Sequence, residues 1–136
     1  MANMQLHKTP MPEQPPQVRI TNFEEVALGY EEDQAINEAK RCLGCKHQPC
    51  VGGCPVGVPI PGFIQAAAKE QWTEAYQLLL SENKLPAICG RVCPQEKQCE
   101  SKCVRGIKGE PVAIGRLERY VADRGMQAKR AALDAT

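Results

Sequence analysis

Eight of the 136 residues are cysteine, and they fall into two blocks. The first reads Cys42-x2-Cys45-x4-Cys50-x3-Cys54-Pro55; the second reads Cys89-x3-Cys93-Pro94, with Cys99 and Cys103 following. Three closely spaced thiolates let one loop wrap three corners of an iron-sulfur cubane, while a cysteine followed by proline points to a different cluster. Bacterial two-cluster ferredoxins use that device with a slightly tighter run. The spacing therefore predicts two iron-sulfur clusters with ligation crossed between the blocks. If the two Cys-Pro thiolates, Cys54 and Cys93, share a cluster, then Cys42, Cys45 and Cys50 lack one ligand, which Cys99 or Cys103 must supply.

Other uses of the cysteines compete with this one. Structural zinc favours paired C-x2-C knuckles, but only Cys42 and Cys45 have that spacing, and the x4 and x3 intervals suit a tetrahedral site less well. Disulfides fit an oxidising compartment. The N-terminus, Met1 to Pro16, is polar and proline-rich without the apolar stretch of a secretory signal, and no run approaches a membrane span. The expected location is the cytoplasm, where thiols stay reduced. His47, between two cysteines, is expected to be a loop residue rather than a ligand, because the local thiols suffice.

The scaffold holding these residues must be small. One Trp, two Phe and three Tyr cannot fill much of a core, so metal cross-links are expected to add to it. A net charge of +1, with basic and acidic residues intermixed, gives no electrostatic footprint for nucleic acid. Residues 1–20 read as an extended arm, with order beginning near Thr21. Residues 21–125 read as the helical cluster-bearing unit, and 126–136 as a small polar tail or linker.

Within that unit, Glu31 to Leu43 is expected to be helical, with Ala35, Ile36, Ala39 and Leu43 on one face and Cys42 at its C-terminal end. The Gly/Pro/Cys stretch from Gly44 to Pro61 reads as an irregular loop. A helix from Pro61 to Lys69 or Glu70 should pair with one over TEAYQLLLSE, with Thr73 as its N-cap and Ala75, Leu78 and Leu79 inward. Glu96 to Val104 is expected as a short helix with Cys99 and Cys103 on one face. Residues 112–124 are expected as a further helix. No period-2 pattern occurs, so the predicted fold class is all-α with long ligand-bearing loops.

Three strings, AKRCLGCKHQPCVGGCPVGVPIP, LPAICGRVCPQEKQCESKC and KGEPVAIGRLERYVAD, resemble the N-terminal domain of the glutamate synthase small subunit. The same domain is shared with NADPH-dependent ferredoxin oxidoreductases and dihydropyrimidine dehydrogenase. The resemblance runs from about Pro10 to Arg124. It implies an α-helical ferredoxin-like module with two [4Fe-4S] clusters, preceding an FAD- and NAD(P)H-binding part. Carried over by position, it implies Cys42, Cys45, Cys50 and Cys103 as ligands of one cluster. Cys54, Cys93, Cys99 and a non-cysteine ligand, Glu118, would hold the other, leaving Cys89 spare. An all-thiolate second cluster using Cys89 is the alternative.

Glu118 stands out independently of that resemblance. Ile114, Leu117 and Val121 define the apolar stripe of its helix, Glu118 lies within the stripe, and no basic partner sits at helical spacing. An unpaired carboxylate facing a core is costly, and metal ligation satisfies it; pairing with an arginine of another helix is the competing expectation. The implied role is a one-electron relay between an NAD(P)H-linked flavin and a redox partner, such as a glutamate synthase large subunit or a ferredoxin. The other reading is a metal-stapled structural module docking a partner subunit. No G-x-G-x-x-G fingerprint occurs, so FAD and NAD(P)H are expected in a partner domain or subunit, and the chain is not expected to be catalytic alone.

Overall fold

A computed structural model describes residues 1–136. Residues 1–20 run extended over the surface, as prolines without N–H groups require, broken only by the single turn α1 (Pro16–Arg19). The arm is held well before Thr21. The Asn3 amide donates to the Lys40 carbonyl at 2.9 Å, and the Tyr30 hydroxyl donates to the Thr9 carbonyl at 2.7 Å. An isolated bridge between Glu13 and Ala27 is the whole of the β structure.

Helix α2 (Glu32–Ala39) starts on a capping box: the Glu31 amide donates to Gln34 Oε1 at 2.8 Å, and Glu32 and Asp33 occupy the first turn, where the helix dipole favours them. It ends four residues earlier than expected. Cys42 lies beyond its end rather than on it, in a tightened turn where the Arg41 and Cys42 amides donate three residues back to Glu38 and Ala39, and Leu43 is exposed just before the left-handed Gly44 (φ +60°). The Gly44–Pro61 loop contains one turn of helix, α3 (Pro49–Gly52), which proline at its first position permits.

Helices α4 (Ile60–Ala68) and α5 (Trp72–Glu82) pack together as the sequence predicts. Phe63, Ile64, Ala67, Ala75 and Leu79 are fully buried, the alanines letting backbones approach. Thr73 is not the N-cap: Gln71 is, and Thr73 sits inside the first turn without a capping bond. Leu78 is only half-buried.

Three further corrections concern the C-terminal half. A helix absent from the sequence reading, α6 (Pro86–Val92), packs on α7 (Ile114–Asp134). The stretch expected as one helix over Glu96–Val104 is three 3-10 turns, Gln95–Lys97, Glu100–Lys102 and Val104–Ile107. Cys99 and Cys103 each sit at a break between these turns, so they share no helical face. Helix α7 runs through the expected tail to Asp134; its exposed second half is rich in alanine and long polar side chains, which favour helix without burial. Its buried half carries Leu117 and Val121, and Tyr120 meets Trp72 of α5 edge-on at 5.2 Å, with the Arg124 guanidinium 4.9 Å from the Trp72 ring. No helix is long and apolar enough to cross a membrane.

Candidate metal centre

All eight cysteines are free thiols. Cys42 follows α2, Cys45 follows the Gly44 turn, Cys50 lies in α3, and Cys103 comes from the second block between two 3-10 turns. Together these four line one pocket, walled by Ile60 and Ile64 of α4 and by Val112 and Ile114 at the entrance to α7. Their electrostatics are mutual. Burial raises the Cys42 thiol, with Cys103 and Cys45 adding to it. Cys50 is pushed up to about 11 by burial, then by Cys42 and Cys103.

The second grouping brings Cys54 of the first block to Cys93 and Cys99. Burial pushes Cys93 up to about 11, and Cys89, Glu118 and Cys54 add to it. Cys99, buried, is pushed up to about 12, first by burial and then by Glu100, with Cys54 and Glu118 contributing. Glycine makes this approach feasible: a Cβ on Gly53 would lie 2.6 Å from the Gln98 carbonyl oxygen and 3.0 Å from Cys99 Cα.

Glu118 lies on the buried face of α7 with 9% of its surface exposed. Asn83 Nδ2 donates to its Oε1 at 2.9 Å, and it forms no salt bridge. Burial pushes its carboxyl up to about 7 against that hydrogen bond. Asn83 also ties down Cys89, whose Sγ donates to Asn83 Oδ1 at 3.7 Å, while Oδ1 accepts the Leu85 N–H at 3.0 Å. One asparagine thus contacts both candidates for the eighth ligand. His47 is exposed on its loop.

Two buried carboxylates escaped the sequence reading. Glu38 Oε1 accepts the Ala113 N–H at 2.9 Å, and Glu100 Oε1 accepts the Ile114 N–H at 3.0 Å, so together they cap the start of α7. Each has its own cation: Arg41 for Glu38 at 2.7 Å and Lys8 for Glu100 at 3.0 Å. The i,i+3 spacing of Glu38 and Arg41 was the available signal; the Lys8 pairing spans 92 residues and left none.

These donors fit an iron-sulfur group. Soft thiolates predominate, and the raised thiols are those that a bound cation must deprotonate and stabilise. No three His, Cys, Asp or Glu side chains converge closely enough to hold a single metal ion, whereas a cubane takes its ligands at separate corners. Arg105 lines the first pocket, and its Nε is buried without a hydrogen-bond partner, as befits a donor beside an anionic group.

Comparison with known proteins agrees with this chemistry. The glutamate synthase [NADPH] small chain of Escherichia coli is 36% identical over 122 residues, covering 90% of this chain and 26% of the relative. The putative oxidoreductase AegA of the same organism is 37% identical over 127 residues, covering 90% of this chain and 19% of the relative. The NAD-dependent dihydropyrimidine dehydrogenase subunit PreT of Escherichia coli is 42% identical over 89 residues, covering 65% and 22%. The chain thus spans about a quarter or less of these relatives. Residues 19–130 match the family described as dihydropyrimidine dehydrogenase domain II, 4Fe-4S cluster. With the thiols grouped as they are, the chain belongs to that 4Fe-4S cluster-domain family.

Proposed function

We propose that this chain relays single electrons through two [4Fe-4S] clusters. Cys42, Cys45, Cys50 and Cys103 would hold one, and Cys54, Cys93, Cys99 and Glu118 the other, with Cys89 the alternative eighth ligand. The observation that carries this reading is the second grouping: a buried carboxylate without an ion pair, placed where its charge acts on both Cys93 and Cys99. A 4Fe-4S cluster supplies one-electron transfer, with a potential set by ligand type, hydrogen bonds to sulfur and burial. Exchanging one thiolate for a carboxylate gives the two centres different potentials.

The donor in this reading is a flavin reduced by NAD(P)H, held in a further domain or partner subunit. The acceptor is a second redox partner, such as a glutamate synthase large subunit or a ferredoxin. Its support is the company the domain keeps, since the relatives are named as an NADPH glutamate synthase chain and an NAD-dependent dehydrogenase subunit. Residues 21–125 would be the cluster-bearing unit, with the arm of residues 1–20 bound on it and the second half of α7 leading towards the flavin-binding part. A cytoplasmic location suits free thiols.

Anaerobic reconstitution with iron and sulfide tests this reading. The expected product carries roughly eight irons per chain and a visible absorption that bleaches with dithionite. A colourless, zinc-loaded protein would sink it in favour of a metal-stapled docking module. Glu118→Ala should alter the spectrum of one cluster only.

A further inference from the structure

We propose that the buried Glu38–Arg41 pair is a positioning device: it fixes the Val112 N–H on Cys103 Sγ and thereby raises the reduction potential of the cluster held by Cys42, Cys45, Cys50 and Cys103. The inference rests on the ligand reading above. Both side chains are 0% exposed. A buried ion pair is weak evidence for stability, since apolar residues of similar volume often serve as well. Its worth here lies in what it holds.

Arg41 places its fork on the two backbone carbonyls that precede Val112, and Glu38 holds the N–H that follows it. Nη2 donates to the Glu110 carbonyl at 2.7 Å and Nη1 to the Pro111 carbonyl at 3.1 Å, while Nη1 also donates to Glu38 Oε1 at 2.7 Å. Glu38 Oε1 in turn accepts the Ala113 N–H at 2.9 Å. Residues 110, 111 and 113 are therefore pinned. Val112, buried between them, directs its N–H to Cys103 Sγ at 3.5 Å. The remaining Arg41 donors anchor the arm through the Gln5 carbonyl at 3.0 Å and the Leu6 carbonyl at 3.2 Å, so all five N–H groups of the guanidinium are used. Lysine, with three donors and no planar fork, cannot hold this set.

The consequence is electrostatic. Reduction adds negative charge, part of which the ligating thiolate carries, so a fixed N–H on that sulfur stabilises the reduced form more than the oxidised one. Cys42, next to Arg41 in sequence, lines the same pocket, so the clasp lies directly behind this centre.

The test uses the full chain, reconstituted anaerobically, with iron analysis and an EPR-monitored redox titration of both centres. Arg41→Lys weakens the clasp, and Val112→Pro removes the donor itself. Each is expected to lower the potential of the same single centre by about a decade in the reduced-to-oxidised ratio at fixed poise, about 59 mV for a one-electron couple. The double variant should shift no further than Val112→Pro, because Arg41 acts through that N–H. Unchanged potentials in Arg41→Lys at full iron content overturn the proposal. A shift that adds to that of Val112→Pro, or iron loss without any shift, does the same and reduces Arg41 to a structural clamp. Cys103→Ser separates the two levels: if it keeps all its iron and both spectra, the ligand reading itself fails.

Discussion

The pocket around Cys42, Cys45, Cys50 and Cys103 and the grouping around Cys54, Cys93, Cys99 and Glu118 treat buried charge in opposite ways. Behind the first, Glu38 and Arg41 satisfy one another and a ring of backbone groups, and apolar side chains of α4 and the α7 entrance form the walls. In the second, a carboxylate is buried with an asparagine as its donor and no cation, and its carboxyl is pushed up to about 7. Closed polar networks specify a structure; the group left without a partner on the first side is Arg105 Nε, whereas on the second the carboxylate keeps a donor and lacks only a cation. The second grouping also depends on close backbone contact. A Cβ on Gly90 of α6 would lie 2.6 Å from the Arg119 nitrogen of α7, next to Glu118.

The most drastic way to break this comparison is to remove the iron. Residues 42–55 and 93–107 hold only single turns of helix, so stripping a reconstituted protein with a chelator should abolish hydrogen-exchange protection there first, while α4, α5 and the first half of α7 keep theirs. Equal loss everywhere would show that the helical core has no independent stability. Next in size is Leu79→Ala, which empties a fully buried site in the α5 core and should cost about 2–5 kcal/mol in denaturant unfolding without favouring either centre.

Gly90→Ala is more selective. Forcing a Cβ between α6 and α7 should cost about 1–3 kcal/mol and disturb the spectrum of the centre at Cys93 and Glu118 while sparing the other. A change confined to the other centre would overturn the assignment of α6 to this site. The smallest effect is expected from Cys89→Ser: iron content unchanged and stability altered by less than about 1 kcal/mol, since the thiol contributes a weak bond to Asn83. Loss of iron in that variant would make Cys89 the eighth ligand in place of Glu118.

Several elements were legible because their patterns are local. The α4–α5 pair follows from helical spacing of Ala75 and Leu79, and the lack of strands from the lack of alternation. Helix α6 leaves no signature, since seven residues containing proline, cysteine and glycine show no amphipathic period; the helix exists by packing its glycine on α7. The far half of α7 has no apolar stripe and so resembles a tail, although its propensity is high and the helix has only to continue from a packed start. The breaks at Cys99 and Cys103, on either side of the 3-10 turn Glu100–Lys102, arise in a segment whose residues would tolerate an ordinary helix.

Residue types and their spacing already carry the candidate chemistry: eight thiols in two blocks, two of them followed by proline, and one carboxylate within an apolar stripe. Those features are set by residue type and short-range spacing. The company each keeps comes from the folding of distant segments onto one another. That folding brought Cys103 to the first block, gave Asn83 to both Glu118 and Cys89, and drew the arm and the α7 entrance together on Glu38, Arg41 and Glu100. Apart from the six-residue step from Asn83 to Cys89, these contacts join residues fourteen or more positions apart, and burial rather than local spacing sets their partners, because a buried charge must find its complement wherever the fold supplies one.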